Sequence, residues 1–534
     1  MLSAKVFATR TSSSPFKTTR HFKSLGALWR SKATQAAFQE ENDALRYSAK
    51  HQDHGEVRPF EDIPGPEKSV KNMINFYRRS EGFTKGHKHT QLLFEEYGPI
   101  VKHTFMGETA VHIIDPDNVE KVFRAEGEYP RRPALDFWME YRKRGNNFPG
   151  IAVVQGKEWQ RARKCIAPKM MRLKTVEENI DNFSAVTEEA IARFTKLKEA
   201  CGPNHHIPNL HDELKKFSME SVGTVAFNTR LGLYQDSPPE KAMKFIEAVD
   251  SFIVQSQKIS MSTVSMFLRC YIDTPALKKF FKACDEIVEI GEYFIKNKME
   301  ELKEMTEEGI EPSDEVVPLL TYLLTKEKLS LQEASGLAID VIAAGVDTTA
   351  TTLLWMLYHL ARHPEVQDKL YLESLEVVGK DGNITAVNIG KMSYLKACLK
   401  ESMRLSNVLT TNGRILEQDV VLSGYRVPAK TWIFMEHYCT ARSEKYFEDP
   451  LEFKPERWLR ENRGEYHAFS ILPFGYGVRM CVGRRVAELE MYLFLCKLLQ
   501  RFRVEYIGEE LDAVLKVFLF YPEKPVKIKL MDRI

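Results

Sequence analysis

One cysteine in this 534-residue chain stands in a setting that could do chemistry. It lies in Phe474-Gly475-Tyr476-Gly477-Val478-Arg479-Met480-Cys481-Val482-Gly483, between glycines, just behind an arginine, and at the mouth of a helical run from Arg484 to Phe502. A thiolate at a helix N-terminus meets unpaired backbone N–H groups and the positive end of the dipole. Both favour the anion and make the sulfur a metal ligand near neutral pH. The glycines allow a tight turn and close approach to a flat partner, with no Cβ in the way. Alone, the cysteine would read as an ordinary buried residue at a helix start.

Three other constellations could carry chemistry. The apolar stretch Ala338 to Leu360 is broken by Asp340 and by Ala344-Gly345-Val346-Asp347-Thr348-Thr349. It is long enough for a membrane span. Its aspartates, glycine and threonines point instead to a long helix through a soluble core. An acid beside an alcohol in mid-helix is disfavoured by propensity. It reads either as back-bonded polar side chains or as a proton-handling pair. Glu401-Ser402-Met403-Arg404 places a carboxylate and a guanidinium three apart on one helical face, a spacing common in surface pairs of little worth. Trp159 and Arg163 stand four apart, on one helix face; the bland reading is an amphipathic helix showing its basic side.

Together these strings resemble the cytochrome P-450 family. The cysteine string matches that family's haem-ligand loop, F-G-x-G-x-R-x-C-x-G, at every specified position. The resemblance implies haem b with Cys481 as its thiolate ligand, which pushes electron density onto iron and favours O–O cleavage. It implies Phe474 beside the ring, and Trp159, Arg163, Arg414 and Arg479 holding the propionates, since arginine suits carboxylates. Asp347 and Thr348 look like the oxygen-activation motif, with a local helix opening and protons relayed through water. Pro450-Leu451-Glu452-Phe453-Lys454-Pro455-Glu456-Arg457-Trp458 looks like the family's second-arginine segment. With it Glu401, Arg404 and Arg457 would form a buried structural network, because charges buried together must be fully paired. One departure stands out. The family usually carries a proline two residues after Arg404-Leu405, but here Ser406-Asn407-Val408-Leu409-Thr410-Thr411 follows, so a looser or differently shaped turn is expected. His103 belongs to no motif.

The elements that must position these groups are mainly helical, with a smaller β-rich lobe; the haem is expected between the long central helix and the cysteine loop and its helix. Helices are expected over Thr175 to Leu197, Pro239 to Val254, Asp285 to Glu308 and Glu488 to Phe502. The lobe would draw on residues near 99–115, on 415–440, where β-branched runs flank a turn at Ser423-Gly424, and on Val514 to Leu530. Length alone suggests two or three domains, but the motifs span residues 156 to 483 and converge on one cofactor. One domain is therefore read over 63–534, opening near Ile63-Pro64-Gly65-Pro66. The composition, 43% hydrophobic and 28% charged, is that of a soluble globular protein. The eight cysteines lie scattered with no Cys-x-x-Cys pair; a reducing compartment fits seven free thiols and one ligand.

The first 39 residues hold seven Lys and Arg, many Ser and Thr, and no Asp or Glu. They carry no apolar anchor or signal core, and read as a mitochondrial transit peptide, with 40–62 as linker. Beyond residue 39, 69 Lys and Arg stand against 74 Asp and Glu, so the mild basicity of the whole chain gives no reason to expect nucleic acid. A mitochondrial member would take electrons from a small acidic [2Fe–2S] ferredoxin, itself reduced by an NADPH-dependent reductase. Lys396 and Lys400, four apart, with Arg484 and Arg485 behind the cysteine loop, are the expected docking cations, because complementary charge steers encounter. Phe252 to Tyr271, apolar and Met-rich, reads either as core helix plus loop or as a contact with the matrix face of the inner membrane. The leading expectation is a monooxygenase acting on a sterol, steroid or secosteroid-like lipid. Foreign compounds are the runner-up substrates. A haem-thiolate isomerase or dehydratase usually loses the acid–alcohol pair kept here, and a haem-binding gas sensor would need no ferredoxin surface.

Overall fold

The central helix runs Leu331–Arg362. Ser330 starts it with a reciprocal cap: its Oγ accepts from the Glu333 N–H at 3.3 Å, and Glu333 Oε2 accepts from the Ser330 N–H at 3.1 Å. Its side chains are buried on nearly every face, as a helix apolar all round requires. Although long and apolar enough to cross a membrane, 72% of its most apolar window is buried inside the protein. Gly345 lets the helix Leu210–Phe227 approach closely, since a Cβ there would lie 3.1 Å from Val222 Cγ2. The computed structural model describes residues 56–534 except 82, 106–107, 134–135, 145–149, 203–205, 262–271, 308–317, 381, 463–465, 518 and 534. The expected leader, most of the linker, Cys270 and the second half of Phe252 to Tyr271 lie outside the described residues.

Residues 58–534 cluster as one unit. Its lobe is a four-stranded sheet. β1 (Ile100–Phe105) pairs antiparallel with β2 (Glu108–Ile113). After β3 (Asn412–Ile415), a hairpin of β4 (Val420–Leu422) and β5 (Tyr425–Val427) leads to β6 (Trp432–Met435), and the sheet order is β1-β2-β6-β3. The β4–β5 turn sits at Ser423 (φ 49°) and Gly424 (φ 78°), the two positive φ values that favour a tight hairpin. Ile100, Val111, Ile113, Leu422, Val427 and Ile433 fill the lobe's own core.

The C-terminal stretch departs from expectation. β7 (Phe502–Tyr506) pairs with β10 (Ile528–Asp532), and β8 (Ala513–Lys516) pairs with β9 (Leu519–Pro522). Neither ladder joins the lobe sheet. Val504, Phe520, Tyr521, Ile528 and Leu530 pack into the large helical core, because a two-stranded ladder with one apolar face needs cover that the helices supply. The Ser406–Thr411 segment is held by the rest of the fold and is not loose. Ser406 Oγ bonds His359 Nε2 at 3.1 Å, and the Val408 carbonyl accepts from Phe520 N–H at 2.9 Å.

Helix ends also move. The first expected helix is two, Leu173–Glu177 and Ile180–Ala200, and the others run Glu240–Met261, Pro275–Glu307 and Arg484–Arg501. The described part of Phe252 to Tyr271 turns inward: Phe252 packs on Trp138 and Phe280, and Ile259 is fully buried. The seven described cysteines are free thiols.

Burial holds several histidines neutral. It pushes His87 and His359 down to about 3, and His89, His103 and His437 down to about 4. Between the ordinary value of 6.5 and these values the unfolded chain binds protons and the folded chain does not, so stability rises with pH there. It is complete above about pH 6.5 and falls as pH drops from 6.5 toward 4, by an order of 1–3 kcal/mol per histidine. Urea midpoints between pH 7.5 and 5 should fall steadily on the acid side; a flat profile would contradict this.

Candidate active site

The cysteine loop is a closed turn in front of the helix Arg484–Arg501. Gly475 N–H donates to Leu472 O at 2.9 Å, Met480 N–H to Gly477 O at 3.1 Å, and Cys481 N–H to Phe474 O at 2.8 Å. Gly477 needs to be glycine twice over: its φ is 73°, and a Cβ would stand 2.4 Å from Glu126 Oε1. Cys481 presents surface to the cleft yet lies deep in protein mass. Burial pushes its thiol up, while the Gly483 N–H and the charges of Arg163 and Arg132 pull it down. Burial alone works against the thiolate, and a strong positive partner would outweigh it. Metal binding would do so, since a coordinating thiol is deprotonated outright.

Four guanidiniums gather near the loop. Arg414, on β3, is fully buried and donates to Glu126 at 2.6 Å, but its Nη2 has no hydrogen-bond partner. Arg479 gives Nη1 to the Pro130 carbonyl and Gln155 and Nη2 to the Val154 carbonyl, leaving Nε unpartnered, with its Cζ 4.8 Å from the centroid of the Trp159 ring. Arg132 bonds the Arg479 carbonyl and also leaves Nε unpartnered. Trp159 and Arg163, buried on the helix Gly156–Met170, complete the set, with Arg163 donating to Met171 Sδ at 3.1 Å. Burial and the neighbouring guanidiniums lower Arg479 to about 9 and Arg132 to about 10. Glu126, itself pushed up by burial, is the acid opposing them. Such a cluster suits a ligand bearing carboxylates.

A cavity of about 330 Å3 lies along the central helix, lined by Trp138, Val249, Phe252, Phe280 and Ile339, by Ala344, Asp347 and Thr348, and by Arg132. The expected helix opening is not there: the helix is unbroken across Ala344–Thr349. Thr348 Oγ1 instead satisfies the Ala344 carbonyl at 2.7 Å, and Ala344 is exposed at the cavity wall. Asp347 is buried, with Oδ2 accepting from the Tyr521 hydroxyl, and burial pushes its carboxyl up.

Glu401, Arg404 and Arg457 are hydrogen-bonded together in the protein interior. Glu401, on the helix Ser393–Leu405, accepts from Arg404 at 2.9 and 2.8 Å, from Arg457 at 3.1 Å, from the Trp458 indole at 2.8 Å and from the Lys454 N–H at 3.0 Å. Arg404 closes its valences on the carbonyls of Ala441, Pro450 and Glu452. The basic residues also converge: Lys396, Lys400, Arg484 and Arg485 line one surface cavity of about 520 Å3 together with Phe474 and Gly475 of the cysteine loop.

The cytochrome P450 profile matches residues 64–530. The chain is a cytochrome P450. It is 31% identical over 513 residues to the mitochondrial sterol 26-hydroxylase of Rattus norvegicus, covering 94% of this chain and 95% of that one. It is 32% identical to cytochrome P450 27C1 of Aquarana catesbeiana, covering 89% and 88%. It is 30% identical to the mitochondrial 1,25-dihydroxyvitamin D(3) 24-hydroxylase of Rattus norvegicus, covering 90% of each. Cytochromes P450 bind haem b through a cysteine thiolate, and this one is a monooxygenase.

The P450 cofactor fits the residues present. Unpartnered nitrogens on Arg132, Arg414 and Arg479 provide donors for propionates, and the Cys481 sulfur lies within electrostatic reach of Arg132 and Arg163. Two members of the arginine cluster escaped the sequence reading. Arg132 sits in Pro130-Arg131-Arg132-Pro133 and Glu126 ten residues after Pro116 opens its helix; a basic doublet between prolines was the only signal. Arg479 is the reverse case, since both its Nη atoms are committed to protein oxygens.

Proposed function

We propose that this cytochrome P450 is a mitochondrial monooxygenase, peripheral to the matrix face of the inner membrane, that hydroxylates a sterol-, steroid- or secosteroid-like lipid with electrons from a [2Fe–2S] ferredoxin served by its NADPH-dependent reductase. Haem b, bound through Cys481, supplies the O–O cleavage. Arg414 and Arg132, with Trp159, Arg163 and the Arg479 Nε, hold its propionates, and Phe474 packs by the loop. The apolar cavity binds the substrate by burying its hydrocarbon surface and excludes water. Thr348 holds a hydroxyl at the cavity wall, and Asp347 holds the carboxyl from which protons are handed on.

The observation that carries this reading is a pair of unlike cavities, one touching Arg132 of the arginine cluster and the other lined by Phe474 and Gly475 of the cysteine loop. One is apolar and bounded by Asp347 and Thr348; the other is basic and holds all four expected docking cations. The acid-free residues 1–39 and relatives named for the mitochondrion, a sterol and a vitamin D support the address and the substrate class.

Reconstitution with ferredoxin and its reductase tests it. Lys400→Glu with Arg485→Glu should raise the ferredoxin KM at least about tenfold, with a weakened salt dependence, because exposed charges act mainly on encounter; reduction by dithionite should be unchanged. An unaltered KM would contradict ferredoxin docking at this face. Turnover of foreign compounds with no sterol or secosteroid accepted would contradict the lipid reading.

A further inference from the structure

The end of the helix Pro116–Arg124 brings two side chains to one arginine. The Cζ of Arg414 lies 4.8 Å from the centroid of the Phe123 ring. Glu126, just past the helix, accepts from Arg414 Nε at 2.6 Å. The side chains of Arg414 and Glu126 are 0% and 7% exposed, so water does little to screen the pair. The second carboxylate oxygen, Oε1, stands against the cysteine loop, where a Cβ on Gly477 would meet it at 2.4 Å. The same acid acts electrostatically on Arg132 and Arg479 across the cluster.

Glu126 takes Nε of Arg414 and leaves Nη2 without a partner. It counters the charge of the guanidinium without occupying the nitrogen assigned to a propionate. Burial pushes its carboxyl up, while Arg414, Arg132 and Arg479 pull it down. Beside a fully buried guanidinium it stays ionised, because a buried charge stripped of its partner is the costlier state. Arg132, Arg163, Arg414 and Arg479 on their own would set up a strongly positive field in a poorly screened interior. One fixed negative charge thus stands between those guanidiniums and the loop that carries Cys481.

We infer that Glu126 sets how readily the haem iron takes its first electron, as a positioning residue that acts through the field of the arginine cluster. This rests on the reading of that cluster as the propionate site. An electron added to the iron adds negative charge nearby, which guanidiniums favour and a carboxylate opposes. Glu126 offsets part of the pull of the four arginines and holds the reduction potential down. Local charge and burial are among the levers by which a protein sets a haem potential. Here the lever is a residue on neither the cysteine loop nor the central helix.

The test is a spectroelectrochemical titration of the haem-loaded, substrate-free protein in the absence of O2. Glu126→Gln keeps an oxygen for Arg414 Nε and nearly the same volume, and loses only the charge. At a fixed potential its ferrous-to-ferric ratio should rise on the order of tenfold, about 59 mV for one electron. Glu126→Asp keeps the charge and should stay near wild type. Gln155→Glu places a carboxylate elsewhere in the cluster, where Gln155 Oε1 already accepts from Arg479 Nη1 at 2.6 Å. Added to Glu126→Gln, it should bring the potential back. The carbon monoxide band should stay red-shifted in all of these, because Cys481 is untouched. A Glu126→Gln potential equal to wild type would overturn the inference. So would a double variant that keeps the Glu126→Gln value, since a charge on residue 155 repairs a field and not a lost contact. Should Glu126→Gln hold no haem, the double variant decides: haem bound at the wild-type potential supports the charge role, and no haem or a shifted potential overturns it. Arg132→Gln should move the potential the opposite way. If Arg132→Gln and Glu126→Gln are both without effect, the cluster does not face the haem and the propionate reading falls; if only Glu126→Gln is, this inference falls alone.

Discussion

Glu401→Leu should cost about 3–5 kcal/mol of stability, the penalty for breaking a fully buried ion network at one member. Glu401, Arg404 and Arg457 have 0%, 0% and 4% of their side chains exposed. Removing the carboxylate takes the acceptor from Arg404 Nε, Arg457 Nε, the Trp458 indole N–H and the Lys454 N–H, and leaves two buried guanidiniums without their counter-charge. A domain whose whole margin is about 5–15 kcal/mol then sits near its threshold. Soluble yield should collapse, and the urea midpoint of what remains should fall sharply. Glu240→Leu, at an exposed i,i+4 pair with Lys244, should leave the midpoint where it was. A Glu401→Leu protein as stable as wild type would mean that the network is dispensable. The network joins the helix Ser393–Leu405 to the 449–458 segment.

Cys481→Ser carries the other large effect. A serine hydroxyl is a poor ligand and gives iron little electron density, so the O–O cleavage that the thiolate favours is lost. Ferredoxin-driven product formation should drop on the order of 10³-fold or more, at least about 4 kcal/mol of barrier. The loop should survive, because its turn is closed by backbone bonds that do not use the sulfur. Cys201→Ser, at a half-buried cysteine ending the helix Ile180–Ala200, should keep full activity. Retained turnover in Cys481→Ser would move the ligand elsewhere.

Much of the site was legible because its chemistry is packed into short strings. Ten residues fix the cysteine loop, its two positive-φ glycines and its arginine; Glu401 and Arg404 lie one turn apart. The central helix could be read as core because its aspartates interrupt an apolar run in a way a lipid-facing helix would not tolerate. What escaped depends on contacts between distant parts of the chain. Glu126 meets Arg414 across 288 positions, and nothing periodic in either segment announces it. The same holds for Tyr521 and Asp347, 174 apart, so the direction in which the acid points was not readable from the acid–alcohol pair. The C-terminal ladders were placed in the wrong core because alternation shows that a strand has an apolar face and not which layer covers it. Thr348 shows a local competition that spacing cannot decide: its hydroxyl satisfies the i−4 carbonyl and leaves the helix closed.

The most direct test of the central claim is a carbon monoxide difference spectrum of the haem-loaded protein reduced by ferredoxin and its reductase. Thiolate ligation by Cys481 together with electron entry at the Lys400 and Arg485 face predicts a strongly red-shifted Soret band. Bound haem that shows an unshifted band even with dithionite would contradict the account at its foundation.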